Sequence, residues 1–115
     1  MRPLELANQY MEVIYGEKSP DLLKALLAKD CHFKGPWYEF NSAAEYIDSL
    51  KKDPPADFNY TLIDAFEGDN SACLVYQFKK KGISTPMTQV FEVMKGKISK
   101  ILLIFDTAGF NKPNN

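Results

Sequence analysis

Asp106 has the most suggestive position of any side chain able to do chemistry. It follows the wholly apolar run Ile101-Leu102-Leu103-Ile104-Phe105, and strand alternation puts it on the same side as Leu102 and Ile104. If that side is the interior of a curved sheet, Asp106 is a carboxyl in low dielectric. Burial then raises its pKa and suits it to act as a general acid or base near neutral pH. Its structural alternative is to cap the turn Thr107-Ala108-Gly109 with its side chain. Trp37, Tyr38, Phe40, Tyr46, Tyr60 and Tyr76 form a second group, since tyrosines join an apolar body to a polar tip that can orient a ligand. Core packing competes for them, and Trp37, on the loop after the first strand, is placed at a pocket mouth. His32 is the single histidine, the side-chain type most used as an acid–base group at neutral pH. Alternation puts it with Lys34, opposite Phe33 and Gly35.

The remaining inventory excludes much. Cys31 and Cys73 have no neighbouring Cys or His at metal-ligand spacing and read as free thiols, so no metal site is expected. The sequence contains no glycine-rich phosphate loop, nucleophile elbow, His-Glu metal helix or dinucleotide fingerprint, and no cofactor is expected. Lys79-Lys80-Lys81 reads as the solvated tip of a hairpin.

A chain of 115 residues is one domain's worth. Its 45% hydrophobic and 25% charged content is that of a globular protein. Fourteen basic against fifteen acidic residues give a net charge of -1, with no basic excess to bind nucleic acid. The longest apolar run falls far short of the roughly 20 residues that cross a bilayer. Met1-Arg2-Pro3 leads into Glu5 and Asn8 rather than a signal-peptide core, so the expectation is a soluble, cytoplasmic protein without membrane contact. One domain over 1–110 and a polar tail over 111–115 are expected.

The elements that must position these residues divide the chain in two. Leu4, Ala7, Tyr10, Met11 and Ile14 make one apolar stripe, which predicts a helix from about Pro3 to Glu17. Ser19-Pro20-Asp21 starts a second helix, with Leu22, Leu23, Leu26 and Leu27, that should stop near Asp30. Cys31 to Lys34 reads as a short strand ending at Gly35-Pro36. Asn41-Ser42 caps a third helix carrying Ala43, Tyr46, Ile47 and Leu50 on one face. From Phe58 onward the pattern has period two. Strands fall at Phe58–Glu67, Ala72–Phe78, Pro86–Met94 and Ile98–Asp106, with turns between them and no helix, so the sheet is antiparallel and the class α+β.

Within the last strand Ile101 to Phe105 is apolar at every position, which implies that both faces of the sheet are covered there. Three helices cover only one face. The other predicts a homodimer through the sheet's outer surface; a carboxy-terminal segment folding back, with Phe110 its only large apolar residue, is the alternative.

Leu26-Leu27-Ala28-Lys29-Asp30-Cys31-His32-Phe33-Lys34-Gly35-Pro36 and Lys95-Gly96-Lys97-Ile98-Ser99-Lys100-Ile101 through Phe105-Asp106, in this order of elements, resemble the nuclear transport factor 2-like superfamily. Its SnoaL-like and ketosteroid-isomerase-like branch is the most similar. The resemblance implies a cystatin-like cone, with three amino-terminal helices closing over a strongly curved antiparallel sheet around an apolar pocket, and a dimer. It also implies that Tyr10, at nearly the spacing of the isomerases' oxyanion-stabilising tyrosine, donates a hydrogen bond to a developing oxyanion. Where those enzymes carry a general-base aspartate, this chain has Gly35. Where they carry a second acidic donor, it has roughly Thr88 or Gln89. A steroid-isomerase mechanism is therefore disfavoured.

Together these readings predict a SnoaL-like protein that binds an apolar small molecule and could act as a cofactor-free isomerase, cyclase or hydratase through Asp106. The alternative is a non-catalytic protein-interaction or scaffold module of the same fold. A cavity of about 300 Å³ or more separates the first from the second.

Overall fold

The computed structural model describes residues 1–110; the expected tail, 111–115, lies outside them. Helix α1 (Pro3–Tyr15) begins at a proline in its first turn, where a missing N–H costs nothing. It buries Leu6, Ala7, Tyr10, Met11 and Val13, so the stripe includes two positions beyond those read from spacing. Helix α2 (Ala43–Lys52) is capped by the Ser42 hydroxyl, which accepts from the Glu45 N–H at 3.1 Å.

The second predicted helix is corrected. Pro20–Ala25 is a 3-10 helix of six residues, and the chain is already extended in β1 (Leu27–Lys34). The leucine stripe is broken because Leu27 pairs with Ile98, while the Leu26 carbonyl accepts the Ile98 N–H at 2.8 Å. Pairing with the sheet overrides helical spacing.

A two-residue strand, β2 (Glu39–Phe40), follows, and then β3 (Asn59–Glu67), β4 (Ser71–Lys80), β5 (Ile83–Met94) and β6 (Lys97–Phe105). The sheet order is β2-β1-β6-β5-β4-β3. Strands β3 to β6 are the expected antiparallel meander. The expectation of a wholly antiparallel sheet fails at β1, which runs parallel to β6. Everything between them in sequence serves as the crossover that parallel pairing requires. Pro86 sits within β5, paired with Gln77 on β4 and one residue beyond the end of the β5–β6 ladder at Met87–Phe105, a sheet border where a proline is tolerated.

Register shifts at Leu27/His32, Leu62/Asp64 and Glu92/Val93 bend the strands as bulges do. Both helices pack on the concave face, against β1, β3 and β4. Phe33, Leu74, Tyr76, Phe78, Phe91 and Ile101 are among the buried residues of that face.

On the convex face Leu102 and Ile104 are 42% and 50% exposed. Phe110 turns the other way, with its ring 5.1 Å from Phe105 and 5.7 Å from Phe78. Through residue 110, then, the chain does not fold back over the convex face. No helix among the described residues is long and apolar enough to cross a membrane.

Candidate functional site

The helices and the concave sheet enclose a cavity of about 1080 Å³, open to solvent. Tyr10 enters it from α1, Tyr46 from α2, Tyr76 from β4 and Gln89 from β5. These four lie at its floor and are buried; Gln89 is 3% exposed. A polar group so placed is costly unless paired, and the floor is paired throughout. The Tyr15 hydroxyl donates to that of Tyr76 at 3.4 Å, and Tyr76 donates to Gln89 Oε1 at 2.9 Å. Gln89 Nε2 donates to the Tyr10 hydroxyl at 3.3 Å, and the Tyr10 and Tyr46 hydroxyls hydrogen-bond to each other.

Burial pushes the Tyr15 phenol up to about 12 and raises Tyr10, Tyr46 and Tyr76 well above the ordinary tyrosine range. All four therefore keep their protons at physiological pH and remain able to donate.

Aromatic rings form the walls. Tyr46 lies between Phe33 at 4.6 Å and Phe40 at 5.4 Å. The Gly35 N–H donates to the Tyr38 carbonyl at 2.8 Å, closing the turn that presents Trp37. Trp37 is half exposed and meets Phe105 and Phe110 edge-on at 5.1 and 5.0 Å, a placement at the rim. Tyr38 is exposed, stacked 6.3 Å from Phe40. The acids of the lining, Glu45, Asp48 and Asp53, are exposed and belong to α2 and its end. Among the described residues, no carboxylate reaches the floor and no three His, Cys, Asp or Glu side chains cluster as metal ligands would.

A model of the SnoaL-like domain matches residues 7–101. The chain belongs to the SnoaL-like family. No curated protein matches this SnoaL-like domain, but solved structures share its fold. An NTF2-like protein of unknown function from Cytophaga hutchinsonii is 21% identical, with a TM-score of 0.81, over 97% of this chain and 96% of that one. One from Burkholderia pseudomallei is 15% identical with a TM-score of 0.81, over 94% and 93%. An LEH-like epoxide hydrolase of M. tuberculosis is 14% identical with a TM-score of 0.77, over 94% and 85%.

Against this geometry the SnoaL-like domain keeps some expected site residues and loses others. Tyr10, Trp37, Tyr38, Phe40, Tyr46 and Tyr76 all line the cavity. Tyr60 does not; its ring packs behind the floor on Tyr15 at 4.7 Å and Tyr76 at 5.5 Å. Asp106 is also corrected. It is exposed, and its carboxylate accepts the Ala108 N–H at 2.9 Å as the cap of a 3-10 turn, Thr107–Gly109. The concave parity of β6 is Ile101, Leu103 and Phe105, paired with Phe91, Gln89 and Met87. Asp106 therefore has the parity of the convex side. His32 lies outside the cavity, bonded to Glu39 at 2.6 Å, and beside it the Glu39 carboxyl is lowered.

Gln89 stood in sequence only as one of two alternatives, and Tyr15 was not singled out. The signal for Gln89 was the alternation of Phe91, Gln89 and Met87, which puts a polar residue between two apolar ones on one face of β5; Tyr15 on α1 carried no such signal. At Gly35 an added Cβ would meet Phe33 Cε1 at 3.5 Å and Leu103 Cβ at 3.7 Å, ordinary contacts. Space does not exclude a side chain there.

Proposed function

We propose that this SnoaL-like domain binds an uncharged, largely apolar small molecule whose polar group rests on the cavity floor. The observation that carries this reading is the hydrogen-bonded cluster of Tyr10, Tyr46, Gln89 and Tyr76 at the base of an aromatic-walled cavity of about 1080 Å³. A cavity of that size, apolar with a few convergent polar groups, is the usual form of a small-molecule site. The chemistry the floor offers is polarisation of a bound group by neutral donors. Proton abstraction by Asp106 is not part of this reading, because its carboxylate serves the turn at Ala108.

The test is a thermal-shift screen of small ketones, lactones and aromatic polyketide fragments, followed by titration of Trp37 fluorescence. Hits should raise Tm in proportion to log concentration, as selective binding to the native state requires, and Asp106→Asn should retain the response. A library without any hit would overturn the proposal, and loss of the response in Asp106→Asn would return Asp106 to the ligand site.

We also propose that the domain is a homodimer through the convex face. Phe66, Cys73, Val90 and Leu102 stand in one row across that face, with Val75 and Ile104 in the next. Such a patch in water is the mark of an interface, and a self-complementary patch closes as a two-fold dimer. Ile104→Lys should convert a dimer to a monomer in sedimentation. A wild-type chain that sediments as a monomer at micromolar concentration removes this proposal.

A further inference from the structure

The floor is a directed chain of donors, and its direction has a consequence at the ligand. Tyr15 donates to Tyr76, Tyr76 to Gln89 Oε1, and Gln89 Nε2 to the Tyr10 oxygen. The Tyr10–Tyr46 bond is the one link whose sense the heavy atoms leave open. Two hydroxyls sharing one bond hold two protons and spend one, so this pair has one proton left over in either arrangement. Bonds aligned head to tail polarise and strengthen one another. Because Gln89 already feeds a proton to the Tyr10 oxygen, the cooperative arrangement has Tyr10 donate to Tyr46. The Tyr46 hydroxyl has no other partner among the described residues, and its proton is then the unspent one, in a residue that lines the cavity.

We infer that Gln89 acts as a polarity selector: its amide, oriented by Tyr76, makes Tyr46 a terminal donor, so that the cavity takes ligands presenting a hydrogen-bond acceptor and disfavours those presenting only a donor. The ligand class is thus a carbonyl-type acceptor on an apolar frame. Gln89 is a positioning residue, since it acts on the ligand's polar group through Tyr10 and Tyr46. The inference rests on the small-molecule reading above.

Three tricyclic probes of nearly one shape test it: 9-fluorenone, which only accepts, carbazole, which only donates through N–H, and fluorene, which does neither. On the wild-type protein, calorimetry should give fluorenone about tenfold tighter than fluorene, the worth of one net hydrogen bond, and carbazole weaker than fluorenone. Tyr46→Phe should erase fluorenone's advantage over fluorene, together with the red shift of its carbonyl stretch in the infrared. Gln89→Leu should bring the fluorenone-to-carbazole ratio towards one while fluorene binding changes by less than about twofold, because the pair loses its directing donor. Tyr76→Phe, which frees the amide to turn over, should move the same ratio in the same direction. It carries the test if Gln89→Leu does not fold.

Equal affinity for the three probes, or a ratio that survives both Gln89→Leu and Tyr76→Phe, overturns the selector while leaving the cavity reading in place. An advantage for fluorenone that survives Tyr46→Phe does the same. If none of the three binds, the cavity reading falls and the selector with it.

Discussion

Raising the pH above about 10 should unfold this domain in one cooperative step, before its floor tyrosines ionise in the native state. Four phenols, Tyr10, Tyr15, Tyr46 and Tyr76, have native pKa values raised by burial, that of Tyr15 to about 12. In the unfolded chain each titrates near 10. A group whose native pKa is raised contributes stability that is whole below the unfolded value and is lost as pH climbs beyond it. Above about pH 10 the unfolded chain has released four protons that the native chain still holds. Each costs about 1.4 kcal/mol per pH unit, so the four together cost about 5 kcal/mol per pH unit. A domain with about 5–15 kcal/mol in hand is exhausted within about one to three units. Circular dichroism and phenolate absorbance, followed together in a pH titration, should show the buried phenols ionising in the same narrow step that removes the fold. Gradual ionisation of all the tyrosines from pH 10 upward, with secondary structure intact, would show that the floor is wet and the network weaker than its geometry.

The second large effect is expected at Phe91. Its side chain is fully buried at the centre of the concave face, with its ring edge-on to Tyr10 at 5.3 Å. Phe91→Ala removes a whole ring from a position that α1 and the paired strands hold rigid, so the cavity left behind cannot close. Such truncations cost about 3–5 kcal/mol, which for a domain of this size lowers Tm by roughly 20 °C. Glu92→Ala, one residue on and exposed, should stay within about 0.5 kcal/mol of wild type. Denaturant midpoints of the two variants make the comparison. A loss below about 1.5 kcal/mol at Phe91 would mean that the space beneath Tyr10 collapses, and with it the floor's rigidity.

The two positions also show how the site depends on its supports. The floor's polar groups come from four elements, with Tyr10 and Gln89 79 residues apart. No local motif holds them together. What aligns them is the packing of α1 and α2 on the concave sheet, and Phe91 is the contact that sets the height of the Tyr10 ring.

Much of this was legible in the sequence because it is local. Period-two patterning placed β3 to β6, and Lys95-Gly96, with φ of 52° and 78°, is the positive-φ pair that a two-residue hairpin requires. Ser42 announced α2, and the apolar stripe announced α1. The aromatic lining was legible in part: Trp37, Tyr38, Phe40, Tyr46 and Tyr76 line the cavity, while Tyr60 packs behind the floor and Phe66 lies exposed on the convex face.

The tertiary structure decided the rest, and for one physical reason. The sequence fixes the alternation of a strand but not which parity meets the helices. In Ile101–Phe105 both parities are apolar, so nothing local said that Leu103 and Phe105 face inward while Leu102, Ile104 and with them Asp106 face out. Leu27 had helical spacing, yet its pairing with Ile98, 71 positions along the chain, made it a strand. In Gln89, by contrast, a single polar residue between Met87 and Phe91 marked its own face as inward, and only the convergence of three other elements showed what that amide was for.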